Sequence, residues 1–388
     1  MKIKILYVNG GIMNRGGIES YMMNYYRHMN KEKFQIDFIV HGYGRGVYDA
    51  EIEKCGSKIY RLPVKSKNPI KYSMELKKVL LENSYDIIHS HVDAMSCWIL
   101  KVAKQCNIPV RIAHSHNTDH LTTNKVKYFL NEIARKNVTR YATACFACSD
   151  NAGKWLFGES EFEIVRNAIE LEKFAFSSET RNQKRNELGI GRNEFVVGHV
   201  GRFDDQKNHE FLIEVFRQIA NEIPNAKLLL VGDGKLREKI ETKINKCGIA
   251  DRVLILGNRE DVAMLYSCMD LFVLPSLFEG LGIVLIEAQA NGLHSVASEN
   301  VPQEVNHGDA IKFVELSKKK WIEEILMEYK QSRKRQRTNY VDYLKKDGYD
   351  IHMAACELEK NIKNWCVNEK ISYLLNIPAP YRVDFLIS

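Results

Sequence analysis

The sequence predicts an α/β protein built from two doubly wound halves, each a parallel sheet covered by helices on both faces. Two observations carry that expectation. Short, near-continuous apolar runs alternate with helix-period patterns along both halves of the chain, as in parallel strands joined by crossing helices. The chain has 388 residues, more than one hydrophobic core usually organises, so two domains are expected.

In the first half, 3–8 reads as a strand. A helix is expected over 18–29, with apolar or aromatic residues at Ile18, Tyr21, Met22, Tyr25 and Met29. The next strand covers 34–40 and runs into turn signals at Gly42, Gly44 and Gly46. Further strands are expected at 59–62, 87–89 and 110–113, with helices near 70–83 and 94–106. The second half repeats this with cleaner punctuation. A strand at 195–200 ends in Gly201, and a helix at 208–222 stops before Pro224. Strand 227–231 is followed by the turn Gly232-Asp233-Gly234 and a helix over 235–247. Strand 253–256, a short helix near 262–269, strand 271–274, a helix from about 282 to 291 and strand 295–298 complete the set. The polar segment 177–191 is the candidate linker. The expected domains are 1–180 and 181–349, followed by an amphipathic helix at about 350–375 and a tail, 376–388, that carries no motif.

Composition narrows the class. The chain is 45% hydrophobic and 27% charged, an ordinary globular balance without low-complexity bias. The run from Met1 to Val8 is too short for a signal peptide and passes straight into a Gly-rich turn. No stretch reaches the 18 or so uncharged apolar residues of a membrane span. Nine cysteines without metal or disulfide spacing read as buried thiols of a reducing compartment, so a cytoplasmic location is expected. Residues 1–175 carry 26 Lys/Arg against 18 Asp/Glu, a balance of +8, out of a whole-chain balance of +7. A basic first half suits an anionic partner such as a membrane surface or a phosphate-bearing acceptor. No nucleic-acid module is present, and nucleic acid is not expected as a partner.

The most informative segment runs from Pro275 to Ala288. It follows an apolar strand, turns on Gly280 and Gly282 around Leu281, and opens a helix. Ligands of open α/β sheets bind outside the carboxyl ends of the strands, where this turn should lie. The glycines allow close backbone approach, and free amides at a helix start favour an anion. Glu279 and Glu287 flank that anion seat. Carboxylates beside a phosphate make sense when the ligand also carries a vicinal diol, so a sugar nucleotide is indicated. The plain alternative is a carboxylate pairing with the helix dipole.

A second constellation, Gly201-Arg202-Phe203-Asp204-Asp205-Gln206-Lys207, also follows a strand. Arg202 offers a fork of donors and Lys207 a point charge, enough to neutralise a diphosphate without a metal. A third is the Gly-rich loop Asn9–Glu19 with Gly16 and Gly17. It matches neither Gly-x-Gly-x-x-Gly nor a P-loop, so it reads as a ligand-contacting loop or a simple tight turn. Histidines gather in His89-Ser90-His91 and His114-Ser115-His116-Asn117. No carboxylate or Cys stands at matching spacing, so no metal site is expected; a hydrogen bond to a sugar hydroxyl is the more economical role, and a satisfied loop histidine the plain alternative.

These motifs, in this order, resemble family 4 of the retaining glycosyltransferases, over residues 1 to about 367. The segment Val165-Arg166-Asn167-Ala168-Ile169 resembles the family's lead into its second domain. Within the family the chain is similar to bacterial capsular and exopolysaccharide transferases, through His114-Ser115-His116-Asn117 and Glu287-Ala288-Gln289-Ala290. The resemblance implies a GT-B fold, two Rossmann-like domains facing across a cleft, with the acceptor on the first and the donor on the second. It implies that Arg202 and Lys207 hold the diphosphate, that Glu279 contacts the transferred sugar, and that Glu287 binds the ribose diol. His116, with His114 as the fallback, would hydrogen-bond the sugar, and the helix at 350–375 would return to the first domain. Gly292-Leu293-His294-Ser295 lacks the proline common in the family, and Asn167-Ala168 stands where Asn-Gly is usual.

The expected activity is metal-independent, retaining transfer of a hexose or N-acetylhexosamine from a nucleotide diphosphate sugar, UDP-linked by preference. The expected acceptor is a lipid-linked saccharide of surface polysaccharide synthesis, and the mixed basic and apolar stretch 125–136 suits peripheral contact with the inner membrane face. No cofactor is expected, since the nucleotide sugar is a substrate. Two rivals stand beside this reading. A nicotinamide dehydrogenase would need Gly-x-Gly-x-x-Gly and an acidic residue some 20 positions on, which are missing. A non-catalytic nucleotide-sugar-binding or scaffold protein would keep every motif.

Overall fold

The computed structural model describes residues 2–374 except 121, 123, 333, 334 and 339, with side chains as far as Cys366. The tail expected at 376–388 lies outside the described residues. The chain divides into two compact units, one formed by residues 1–168 and the segment from 351 onward, the other by 169–350.

The N-terminal unit holds seven strands: β1 (Ile3–Val8), β2 (Phe34–His41), β3 (Ile59–Leu62), β4 (Ile87–Ser90), β5 (Val110–Ser115), β6 (Ala144–Ala147) and β7 (Glu163–Ile164). All neighbours are parallel, in the order β3-β2-β1-β4-β5-β6-β7. The strand order reverses between β1 and β4, so the loops leaving these two strands open a crevice at the carboxyl edge. Alternate side chains feed two cores, one on each face. Tyr7, Phe38 and Phe146 lie on one side and Leu6, Ile88 and Ala113 on the other. Such strands are largely apolar because neither face of the sheet meets much water.

The helix Ile351–Leu374 belongs to this unit. It packs on the helix Gly17–His28; Glu359 accepts from the Asn30 amide at 2.6 Å, and the Trp365 ring lies 4.8 Å from Phe146. Its amphipathic pattern therefore reports burial of one stripe against the first helix of the chain.

The second unit contains β8 (Phe195–Val200), β9 (Ala226–Val231), β10 (Val253–Ile255), β11 (Leu271–Leu274), β12 (Ser295–Ser298) and β13 (Ile311–Val314), parallel in the order β10-β9-β8-β11-β12-β13. The order reverses between β8 and β11. Strand β13 has no counterpart among the sequence expectations, because Ile311–Val314 is a short run with Lys312 exposed in its middle.

Two expectations need correction here. The segment 177–191 is not a linker but contains the helix Ser178–Glu187, with Ser177 capping the Thr180 amide. Its arginines clamp the sheet. Arg181 and Arg185 both reach Asp270, and Arg185 also donates to the Cys268 carbonyl at 3.1 Å. Asp270 accepts in turn from the Val196 amide at 2.8 Å. A polar sequence reads as a linker until its charges have buried partners. The division also falls at 168/169 and not at 180/181. The short helix Leu171–Phe174 belongs to the second unit, where the Phe174 carbonyl accepts from Asn291 at 2.6 Å. Of the nine cysteines, all free, Cys55 and Cys356 are exposed, so the expectation of buried thiols holds only in part. No helix among the described residues is long and apolar enough to cross a membrane.

Candidate active site

In the second unit, the loops leaving β8 and β11 meet at the reversal of strand order and are stitched together by side chains. Lys207 ends a 3-10 turn, Asp205–Lys207, whose cap is Asp204. Its Nζ lies 2.5 Å from Glu279 Oε1, and the same oxygen accepts from Ser276 Oγ at 2.6 Å. Gln206 Nε2 donates to the Phe278 carbonyl at 3.0 Å and lies 3.3 Å from Glu279 Oε2. The Leu277 amide donates to the Gln206 carbonyl at 2.8 Å, and Asn208 Nδ2 to the Pro275 carbonyl. Glu279 is 6% exposed. A carboxylate so withdrawn from water needs a cation and donors, and removing either partner of such a pair typically costs about 3–5 kcal/mol.

Glycines make room for this arrangement. A Cβ on Gly201 would stand 3.2 Å from Lys207 Cγ and 3.0 Å from His199 Nε2. Gly232, with φ +133°, passes so close that a Cβ would fall 2.1 Å from the Gly201 carbonyl oxygen. Gly282, at φ +90°, opens the helix Ile283–Ala290 with no side-chain cap. The helix start beside Glu279 is thus left as a seat of amide donors, the arrangement that suits an anion.

Glu287 sits one turn into that helix and is half-buried. Tyr266 donates to its Oε2 at 2.7 Å. Burial pushes the Glu287 carboxyl up to about 7, against smaller lowering effects of the Tyr266 bond and the Lys207 charge. Arg202 is placed differently from Lys207. Its side chain is 63% exposed and its Nε donates to Asp204 at 2.7 Å, so it stands at the rim while Lys207 lies inside. Lys207, Glu279, Gly280, Leu281, Gly282 and Glu287 are therefore brought into one neighbourhood.

Gly16, Gly17 and His116 belong to the N-terminal unit. Gly16 precedes the helix Gly17–His28, and a Cβ there would lie 2.2 Å from Glu19 Oε2. Glu19 Oε1 accepts from Asn9 Nδ2 at 3.0 Å, which folds the Gly-rich loop back on the end of β1. The four histidines at the ends of β4 and β5 form a buried array. His89 Nε2 lies 3.0 Å from His114 Nδ1, and His91 Nδ1 lies 3.0 Å from His116 Nε2. Burial drives all four down, His116 to about 3, so the rings are neutral at pH 7. The sequence pattern did not foresee this convergence, since it follows from strand register.

Several partners were also missed. Asp93 accepts from the His116 amide and from Asn117 Nδ2, both at 2.7 Å. Ser276, Gln206 and Tyr266 support the two glutamates. Asp93 follows His91 by two residues and Ser276 precedes Glu279 by three, signals that gain meaning only once the loops are folded.

Comparison with known proteins agrees with this architecture. The model for Glycosyltransferase Family 4 matches residues 15–173, and that for Glycosyl transferases group 1 matches residues 180–342. The putative glycosyltransferase EpsF of Bacillus subtilis (strain 168) is 35% identical over 79% of this chain and 81% of its own length. The capsular polysaccharide biosynthesis glycosyltransferase CapH of Staphylococcus aureus is 27% identical over 92% of this chain and 98% of its own. An Escherichia coli relative, UDP-Gal:alpha-D-GlcNAc-diphosphoundecaprenol alpha-1,3-galactosyltransferase, is 30% identical over 59% of this chain and 62% of its own. Among solved structures, Anabaena HepE in complex with UDP and glucose matches with a TM-score of 0.77 at 18% identity, over 93% of this chain and 99% of that one. The chain belongs to the family 4 glycosyltransferases, with the two parallel-sheet α/β domains of the GT-B fold.

The state of Glu287 yields a test. Its carboxyl is raised in the folded chain, so folding is unopposed at low pH, where the group is protonated in both states. The penalty grows as pH climbs from the ordinary carboxyl range through about 7. Glu287→Gln should raise the thermal midpoint at pH 8, by on the order of 2 kcal/mol in stability, and should give almost no gain at pH 4, below the ordinary carboxyl range. An equal gain at both pH values would contradict the buried, proton-holding state.

Proposed function

We propose that this chain is a retaining glycosyltransferase that moves a hexose or N-acetylhexosamine from a UDP-sugar to a lipid-linked saccharide in surface polysaccharide assembly. The observation that carries the reading is the Lys207–Glu279 pair at the reversal of strand order, 2.5 Å apart and beside an uncapped helix start. It sets a cation, an amide seat and a hydroxyl-reading carboxylate side by side, the functional groups a nucleotide sugar calls for. The capsular function in the CapH name, and the UDP-galactose and diphosphoundecaprenol in the Escherichia coli relative's name, support the donor and acceptor classes.

In this reading Lys207, Arg202 and the amides around Gly280, Leu281 and Gly282 gather the charge of the diphosphate. Glu279 takes hydroxyls of the transferred sugar and Glu287 the ribose diol. Gly16 and Gly17 let the loop after β1 approach the donor, and His116 hydrogen-bonds the sugar. The acceptor hydroxyl attacks the anomeric carbon on the face from which the diphosphate leaves. The bond to phosphate oxygen breaks, the new glycosidic bond forms, and the hydroxyl proton passes to the departing phosphate. Neither Glu279 nor Glu287 acts as a covalent nucleophile; catalysis comes from positioning and from charge arranged in advance. Divalent ions are not required for transfer, because Lys207 and Arg202 supply the positive charge.

The acceptor's lipid is matched by the helix Lys125–Arg135. Val126, Phe129, Leu130 and Ile133 are exposed on it, the first two by 68% and 65%, and exposed Lys125 and Lys127 stand in its first turn. A helix with this composition suits the interface of an anionic bilayer at the cytoplasmic face.

Two experiments follow. A panel of UDP-, GDP- and ADP-sugars should raise the thermal midpoint, UDP-sugars most. With the best donor and a lipid-linked acceptor, Arg202→Ala should lower kcat by about 10²–10³ in a normally folded protein, and added Mg2+ or Mn2+ should not change the wild-type rate. Near-normal turnover in Arg202→Ala would remove its role, and donor binding with neither transfer nor hydrolysis would leave a binding protein. Separately, the wild type should sediment with anionic vesicles and the Phe129→Glu/Leu130→Glu variant should not. Equal sedimentation of both would discard the membrane contact.

A further inference from the structure

The N-terminal unit gathers more imidazole than the transfer reaction uses. Parallel register sets His89 opposite Ile112 and Ser90 opposite Ala113, so alternate residues of β4 and of the segment ending β5 share one face. His89 and His91 thereby lie 4.1 Å apart between ring centroids, tilted by 32°, beside the stacked pair His114 and His116, also at 4.1 Å. We propose that His89, His91 and His114 bind one divalent cation of the borderline class that imidazole favours, Zn2+ foremost, as a structural ion of this unit.

Two observations support the site. One ring nitrogen from each of the three histidines falls within 4.8 Å of the others. A tetrahedral Zn2+ at about 2.0–2.1 Å from each ligand needs nitrogens roughly 3.3 Å apart, a distance that modest ring rotations supply. And His89 Nδ1, His91 Nε2 and His114 Nε2 are all buried without hydrogen-bond partners, as is the neighbouring Tyr21 hydroxyl. Buried polar atoms seldom stay unpaired, and this many in one place call for a common partner.

The surroundings choose the kind of ion. Tyr7 meets His89 and His91 edge-on, Tyr21 covers His91 and His114, and Phe146 covers His89 and His114. These aromatic rings enclose the histidines, and a donor set of imidazole nitrogens without a carboxylate disfavours Mg2+ and Ca2+. His116 stays outside the ligand set, bonded through Nε2 to His91. The proposal concerns metal content alone and stands apart from the transfer reading.

The test uses the full chain, stripped with chelator and titrated with Co2+. The wild type should take up one equivalent with the visible absorption of a tetrahedral nitrogen site, Zn2+ should displace it, and either ion should raise the thermal midpoint. His89→Gln and His114→Gln should each melt cooperatively without metal, yet lose the absorption and the metal-dependent rise. His28→Ala, which removes one member of a surface histidine pair 4.7 Å from His352, should keep both. Absence of stoichiometric uptake by the wild type would overturn the site. So would undiminished uptake by His89→Gln or His114→Gln, or loss of uptake in His28→Ala.

Discussion

Lys207 and Glu279 come from loops 72 residues apart in sequence, and their ion pair holds the second unit's site in shape. The 3-10 turn that presents Lys207 is fixed by the Asp204 cap, and the turn that presents Glu279 by Ser276 and Gln206. The ammonium then joins the two at the one place where the sheet's strand order reverses. Glycines at 201 and 232 are the steric condition for it, since a side chain on either would push the Lys207 stem or the neighbouring turn away.

The pair has a second consequence. A buried carboxylate with a cation is stable but committed, and the cation is then available to an incoming anion only at some cost. In the proposed reaction the diphosphate would share Lys207 with Glu279, and Glu279 would turn part of its accepting capacity to sugar hydroxyls. The resting site would be preorganised in the sense that matters for catalysis, with dipoles and charges fixed before the substrate arrives. Glu287 differs in kind. It lies near enough to feel the Lys207 charge yet is held by Tyr266, and burial raises its carboxyl to about 7.

Legibility in the sequence followed the range of the interactions. Five strands of each sheet were readable because burial on two faces leaves a run with few polar residues, whereas β6 and β7, of four and two residues, were too short to read; the Glu279–Glu287 turn was readable because its glycines and carboxylates are local. The helix Ser178–Glu187 was misread as linker because Arg181 and Arg185 find Asp270 only across some 85 residues. Strand β13 escaped notice because an edge strand of four residues with an exposed lysine has almost no periodicity. The histidine array, Asp93 and Tyr266 depend on register between strands and on loop folding, which spacing along the chain does not encode. Arg202 and Lys207 looked equivalent in sequence; the fold buries one and leaves the other at the rim.

The account turns on Lys207 and Glu279 acting as one unit. A double-mutant cycle with Lys207→Met, Glu279→Gln and the double variant, read as kcat/KM with the donor that stabilises the chain most, tests this directly. Each single change should cost nearly as much as both together, because each leaves its partner buried and misplaced. Losses that simply multiply in the double variant would show two independent groups, and the organising role given to the pair would be wrong.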